Sequence, residues 1–335
     1  MKVFMERKLL IKLQRCLFCQ GMLRNDFRGL STHNKVGFVG LGNMGEKMCK
    51  NLLKKDFKVM VNDLNPRKIE LLNKAGAVVA EKNSDIAEFA DFIITMLPAS
   101  HHVTSFYAGE NGIMKFIKPG TLAIDCSTVD HVAPKNLSNL FEKIGASIID
   151  APVSGGVAAA LNGTLTFMVG GKEEDVDKAK PILSAMGKNI IHCGELGSGQ
   201  IAKMCNNLLL GITMYGAAET FHFGKKLGID LKVLTSVINT SSGRCWVTDT
   251  YNPVPNVMEN VPSSKSYEAG FTSQMLLKDL EIAERTAKKL NHTLDIGNKT
   301  LEIYKKICDA DLREKDFSII YEYLTKKNYY DKLNS

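Results

Sequence analysis

From residue 35 onward the hydrophobic positions fall into two regimes. Up to about residue 193, short apolar runs alternate with stretches of helical spacing. Strand-like runs occupy 36–39, 57–62, 91–97, 121–126, 147–151, 165–169 and 189–192, with helical stretches at 46–55 and 66–74. Apolar runs of this length, without strict polar alternation, suit strands buried on both faces. Strands separated by helices need crossovers, which are right-handed and lay the strands parallel. The pattern predicts an α/β domain built on a Rossmann-type doubly wound sheet, which binds ligands beyond the carboxyl ends of its strands.

After Cys193 the strand signal fades. Gly194, Gly197 and Gly199 make a flexible junction, and helical spacing predicts helices at 200–227, 231–240, 274–290, 293–309 and 318–323. Residues 251–266, with Pro253, Pro255 and Pro262, read as a loop. The expected organisation is a leader at 1–34, a sheet domain at 35–195 and an all-α domain at 196–335.

The first strand runs into Gly40-Leu41-Gly42-Asn43-Met44-Gly45, a G-x-G-x-x-G, and a helix follows. In this context Gly40 permits a tight turn, Gly42 lets a pyrophosphate reach the backbone, and Gly45 allows close helix–strand packing. The helix N-terminus offers free N–H groups to the phosphates. Asp63, 23 residues beyond Gly40, is placed to accept from the adenosine ribose hydroxyls. Its charge opposes a 2′-phosphate and favours NAD over NADP, with Arg67 a partial offset.

The 200–227 stretch carries the most telling side chain. Lys203 is the only charged residue from Leu196 to Ala218, among Leu208, Leu209, Leu210, Ile212, Met214 and Tyr215. Such a helix is expected to be buried all round. A lysine within it is costly unless used, and desolvation lowers its pKa toward acid–base work. A lysine snorkelling from the first turn is the bland alternative. Asn206 and Asn207 stand three and four residues on and are expected to share its face. Residues 150–156 (DAPVSGG) follow an apolar strand, and the N–H groups of Ser154, Gly155 and Gly156 could form a nest for a carboxylate.

Composition changes this picture mainly at the N-terminus. The 335-residue chain has a net charge of +7, but seven basic and two acidic residues lie in 1–34, leaving the remainder at +2. A near-neutral body gives no basic groove, so no nucleic-acid partner is expected. No apolar run reaches membrane-span length, so no membrane partner is expected either. Leu10, Leu13 and Leu17 alternate with Lys8, Lys12 and Arg15 on separate helical faces, which reads as a mitochondrial import leader. Of eight cysteines, only Cys16 and Cys19 form a C-x-x-C, with no second pair at zinc spacing, so no metal site is expected. The others read as small buried hydrophobes in a reducing compartment.

Four ordered segments, 39–45 (VGLGNMG), 150–156 (DAPVSGG), 197–207 (GSGQIAKMCNN) and 278–280 (KDL), resemble the motifs of the β-hydroxyacid dehydrogenase family across residues 35–330. Residues 241–246 (SSGRCW) and 251–255 (YNPVP) are similar to its mitochondrial branch acting on 3-hydroxyisobutyrate. The resemblance implies a Rossmann domain followed by an all-α domain, as in 6-phosphogluconate dehydrogenase. It implies NAD-dependent oxidation of 3-hydroxyisobutyrate to methylmalonate semialdehyde in valine breakdown, in the mitochondrial matrix. It implies a homo-oligomer, a dimer or tetramer, whose helical domain serves substrate binding and assembly. It makes Lys203 the catalytic residue, with Asn207, Ser154, Gly155 and Gly156 on the substrate. Gly40, Leu41, Gly42, Asn43, Met44, Gly45, Asp63, Leu97, Pro98, His102, Thr128 and Lys278 fall to the cofactor. His102 departs from the family's pattern, which has an asparagine there. The alternatives are a sister reductase of semialdehydes or glyoxylate, 6-phosphogluconate dehydrogenase itself, and a non-catalytic cofactor-binding module. The last is disfavoured by Lys203, and the phosphogluconate enzyme by the shorter second half of this chain.

Overall fold

The computed structural model describes residues 35–326. The leader, with Cys16 and Cys19, lies outside the described residues. Strands β1 (Lys35–Val39), β2 (Lys58–Asn62), β3 (Val78–Val79), β4 (Phe92–Thr95), β5 (Leu122–Asp125) and β6 (Ser147–Asp150) form one parallel sheet in the order β3-β2-β1-β4-β5-β6. The order reverses between β1 and β4, which opens a crevice at their carboxyl ends. The short strands β3 and β7 (Val153–Ser154) escaped the periodicity argument, because two residues carry no period. β7 and β6 pair antiparallel with β8 (Leu165–Gly170), and β9 (Gly187–Gly194) then runs parallel to β8.

Both faces of the sheet are covered, as the continuous apolar runs require. Helices α1 (Gly45–Leu53), α2 (Pro66–Lys74), α3 (Asn83–Phe89), α4 (Ser100–Ala108), α5 (Val132–Lys143), α6 (Gly156–Asn162) and α7 (Glu173–Met186) divide between them. Met48 and Leu52 of α1, Leu72 of α2 and Leu183 of α7 share one core with Phe38, Ile94, Ile124 and Ile149. Ile86 of α3, Val103 and Tyr107 of α4, and Leu137 and Phe141 of α5 share the other with Ile93, Ala123 and Ile148. Adjacent strand residues thus point to opposite cores, the period-two signature of a strand.

The rest is helical. Helix α8 (Ser198–Lys226) leaves the sheet and enters a third core with α9 (Leu231–Asn239), α10 (Trp246–Asp249), α11 (Ser273–Lys289), α12 (Asp295–Ile307) and α13 (Ile320–Thr325). Residues 251–266 are irregular apart from one 3-10 turn at Pro262–Lys265. α8 has no Cβ at Gly211, where one would lie 3.3 Å from Leu280 and Thr300, so α11 and α12 cross it closely. Among the described residues, no helix is long and apolar enough to cross a membrane.

Three expectations need correction. α8 is not buried all round. Gln200, Lys203, Asn207, Gly211, Met214, Ala218 and Phe221 line its buried face, whereas Ile201, Leu209 and Phe223 are exposed, the last two by more than 60%. α11, α12 and α13 pack on only part of the helix, so its remaining apolar positions are uncovered in a single chain. Asn206 does not share the buried face. It is exposed, and its amide donates to Asn207 Oδ1 at 3.0 Å. The cysteines also divide: Cys49, Cys126 and Cys308 are buried, Cys193 and Cys245 half-buried, and Cys205 exposed.

Candidate active site

The turn after β1 has the geometry a dinucleotide needs. Gly40 has φ +94°, and a Cβ on it would meet Met96 O at 2.3 Å, so only glycine fits between β1 and β4. A Cβ on Gly45 would meet Gly40 O at 1.9 Å, which is how closely α1 seats on the turn. Gly42 is different: a Cβ there meets nothing within 4 Å, so its backbone faces open space. Leu41, between them, is buried, while Gly42 and Asn43 are exposed and Met44 is half-buried. Asp63, after β2, accepts from Leu41 N at 2.5 Å and from Asn65 N at 2.7 Å. It therefore orders the turn before any ribose arrives, and a carboxylate has lone pairs left for two hydroxyls. These residues fit an adenine dinucleotide.

The loops after β4 and β5 stand at the adjoining strand ends. Leu97 N donates to Ser127 Oγ at 2.9 Å, which ties the two loops together. Beneath them, buried Asp125 accepts from Thr95 Oγ1 at 2.8 Å and from Ser127 N at 3.1 Å. Burial pushes its carboxyl up to about 6, against the pull of those bonds from Ser127 and Thr95. Lys278 reaches across from α11 and donates to Thr128 O at 2.8 Å and Pro98 O at 3.4 Å. The structure thus brings Leu97, Pro98, Thr128 and Lys278 together. His102, one turn into α4, is exposed and packs its ring at 3.9 Å from that of His101.

Lys203 sits on the buried face of α8, only 8% exposed. Desolvation lowers its pKa, the charge of Asp279 opposes that, and Lys278 adds to the lowering. Asn207 is one turn on. Its amide donates to Asp279 Oδ2 at 2.6 Å, and Asp279 Oδ1 is 3.3 Å from Lys278 Nζ. Asp279, the middle residue of the KDL segment, thus joins Asn207 to Lys278, a contact that its place in the sequence does not show. Nor does the sequence show that Gln200, one turn before Lys203, sends its bonds into the loop after β5.

The start of α8 is anchored by Asp150, the last residue of β6. Asp150 accepts from Gly197 N at 2.6 Å and Gln200 N at 2.8 Å. Burial pushes its carboxyl up to about 6, offset by those backbone bonds and aided by nearby Asp125. Gly170 and Gly199 make room, because a Cβ on either would lie within 2.8 Å of this carboxylate.

Ser154 ends β7, and Gly155 and Gly156 follow it. Ser154 pairs with Thr166 of β8, while Gly155 (φ +126°) and Gly156 (φ +67°) turn the chain into α6. Both glycines are exposed and Ser154 is half-buried, so their backbone is accessible. Among the described residues, no hydrogen bond joins this segment to the Lys203 cluster. No group of three His, Cys, Asp or Glu side chains able to hold a metal occurs among the described residues.

A dinucleotide crevice facing a buried lysine from a helical domain defines a two-domain nicotinamide-dependent dehydrogenase. Residues 35–194 match the family described as the NAD binding domain of 6-phosphogluconate dehydrogenase. Residues 197–324 match the one described as NAD-binding of NADP-dependent 3-hydroxyisobutyrate dehydrogenase. The mitochondrial 3-hydroxyisobutyrate dehydrogenase of Rattus norvegicus is 46% identical over 300 residues, covering 90% of each chain. An NAD-dependent L-serine dehydrogenase of Pseudomonas aeruginosa is 42% identical over 286 residues, covering 85% of this chain and 96% of that protein. Among solved structures, the Mycobacterium tuberculosis 3-hydroxyisobutyrate dehydrogenase with L-serine is similar at a TM-score of 0.82 and 35% identity, covering 88% of this chain and 99% of that one. The chain belongs to the 3-hydroxyisobutyrate dehydrogenase family.

Proposed function

We propose that this protein oxidises 3-hydroxyisobutyrate to methylmalonate semialdehyde with NAD, as a step of valine breakdown. The observation that carries the reading is Lys203, buried on α8 beside Asn207 and under the charge of Asp279 of α11, whose neighbour Lys278 reaches the loops after β4 and β5. Oxidising a primary alcohol removes a hydride from carbon and a proton from oxygen. The nicotinamide, when bound, takes the hydride. Lys203, held toward its neutral form by desolvation, hydrogen-bonds the substrate hydroxyl and accepts its proton. Asn207, oriented by Asp279, holds the substrate beside that amine. The backbone of Ser154, Gly155 and Gly156 binds the carboxylate, at the other end of the substrate from the hydroxyl that meets Lys203. Fixing both ends brings the reacting carbon to one place, a proximity effect.

A second reading is oxidation of L-serine, favoured by the L-serine dehydrogenase among the relatives and by the L-serine that accompanies the similar mycobacterial enzyme. Serine also carries a carboxylate and a hydroxyl on its third carbon, so the same nest and lysine serve it. The purified enzyme should form NADH faster from 3-hydroxyisobutyrate than from serine, glycerate or 4-hydroxybutyrate, as the ratio of kcat/KM. A higher kcat/KM for serine would move the assignment to the second reading, and no turnover of any of them would end both.

Two further proposals concern location and assembly. Residues 1–34 direct import into the mitochondrial matrix, supported by their cationic amphipathic pattern and by the mitochondrial names of the relatives. A reporter carrying these residues that stayed in the cytosol would refute this. Self-association covers Leu209 and Phe223 of α8 with Val233 and Val237 of α9, which are all exposed in the single chain. A monomer mass by light scattering at micromolar concentration would refute that.

A further inference from the structure

We infer that Gln200 is a positioning residue that locks the lysine-bearing helix to the loop after β5, and so sets the distance between the reacting carbon and the nicotinamide. Its side chain is almost fully buried. Its amide donates to Ser127 O at 2.7 Å, and its carbonyl oxygen accepts from Val129 N at 3.1 Å. One side chain therefore satisfies two backbone groups that flank Thr128. Lys278 holds Thr128 O between them at 2.8 Å.

The other end of the clamp is equally fixed. Gln200 N is bound by the Asp150 carboxylate, together with Gly197 N. The first turn of α8 is also seated directly against β8, since a Cβ on Gly199 would meet Met168 O at 2.2 Å. Lys203 follows Gln200 by three residues on the same buried face, within one rigid helical turn. The loop it clamps is tied to Leu97 through Ser127 Oγ. An error in the Gln200 contact is thereby transmitted to Lys203 on one side and to the cofactor loops on the other. Misplacement by about 1 Å at a reacting centre lowers rate roughly a hundredfold.

This inference rests on the reading of Lys203 as the proton acceptor. Gln200→Met is the test, because it keeps the length and burial of the side chain and removes both hydrogen bonds. The single-turnover rate of NADH formation should fall at least tenfold, on the order of the loss for sub-ångström misplacement. KM for the acid and Kd for NAD should change by less than the rate does, because both amide bonds of Gln200 go to backbone groups of the protein. Gln200→Glu, assayed at alkaline pH where the carboxylate is ionised, keeps an acceptor for Val129 N but sets a charged oxygen against Ser127 O, so its rate there should also fall below wild type. A role in folding alone would lower Tm and leave the single-turnover rate per NAD-binding site unchanged; that outcome overturns the inference. If Gln200→Met gives no soluble protein, Gln200→Glu decides by itself, and a wild-type single-turnover rate overturns the inference. Wild-type enzyme and Lys203→Ala are run alongside. A Lys203→Ala enzyme that turns over normally brings down the reading of the site and this inference with it. A dead Lys203→Ala with a normal Gln200→Met brings down the inference alone.

Discussion

Lys203→Ala should lower kcat for alcohol oxidation by roughly a hundred- to ten-thousand-fold, the range for a lost general base. Kd for NAD should hardly change, because in the described structure Lys203 lies on α8 among Asn207 and Asp279 rather than in the glycine turn. Lys203→Arg should be about as inactive, since a guanidinium stays protonated at any working pH and cannot take the hydroxyl proton. The pH profile separates this chemistry from a packing role. With a lowered pKa, Lys203 gains its neutral form earlier than an exposed lysine does, so kcat/KM should rise with pH as it deprotonates. Asp279 opposes the lowering by favouring the ammonium. Asp279→Asn removes that charge and keeps an oxygen for Asn207, so the rising limb should move to lower pH. A limb that stays in place, or moves to higher pH, would remove Lys203 from the proton-transfer step. A Lys203→Ala enzyme within tenfold of wild type would do the same.

Asp63→Ser should reduce kcat/KM for NAD by roughly ten- to a hundredfold and leave NADP much less affected, so that preference between the two narrows. Two losses combine. The ribose hydroxyls lose a charged acceptor, where a bond to a charged group contributes about 1.5–3 kcal/mol. The turn also loses its anchor, because Asp63 binds Leu41 N and Asn65 N. The charge that repels a 2′-phosphate goes at the same time. Asp63→Asn separates the effects. It retains one oxygen for the turn and removes the charge, so it should recover part of the affinity for NAD and still accept NADP better than wild type. Initial rates with each cofactor at matched saturation measure both. Unchanged selectivity in both variants would show that Asp63 serves the turn alone and that the cofactor is chosen elsewhere.

Much of this molecule was legible in its amino-acid order. The apolar runs defined the sheet because strands buried on both faces have no polar positions to hide. The glycine turn, and Asp63 beyond β2, were legible because strand, turn and helix follow one another directly, with spacing set by local geometry. Lys203 stood out because a lone charge in a long apolar helix is expensive wherever that helix packs. All of these are relations over short stretches of chain, where backbone geometry leaves few choices.

Relations between distant segments belonged to the tertiary structure. Asn207 meets Asp279 across 72 residues, and Lys278 meets Thr128 across 150. No periodicity could show that Gln200 would reach the loop after β5, or that Asp150 would hold both Gly197 and Gln200. The outer face of α8 is the plainest case. Its composition predicted burial on every side, yet Leu209 and Phe223 are exposed in the folded chain. Hydropathy records how strongly a residue avoids water; which neighbour covers it depends on how the chain folds back and what docks beside it. The sequence by itself determined the class of fold, the cofactor turn and the lysine. Only the tertiary structure decided which distant groups bear on that lysine and which apolar face remains open, because hydrogen bonds and charges act through space and not along the chain.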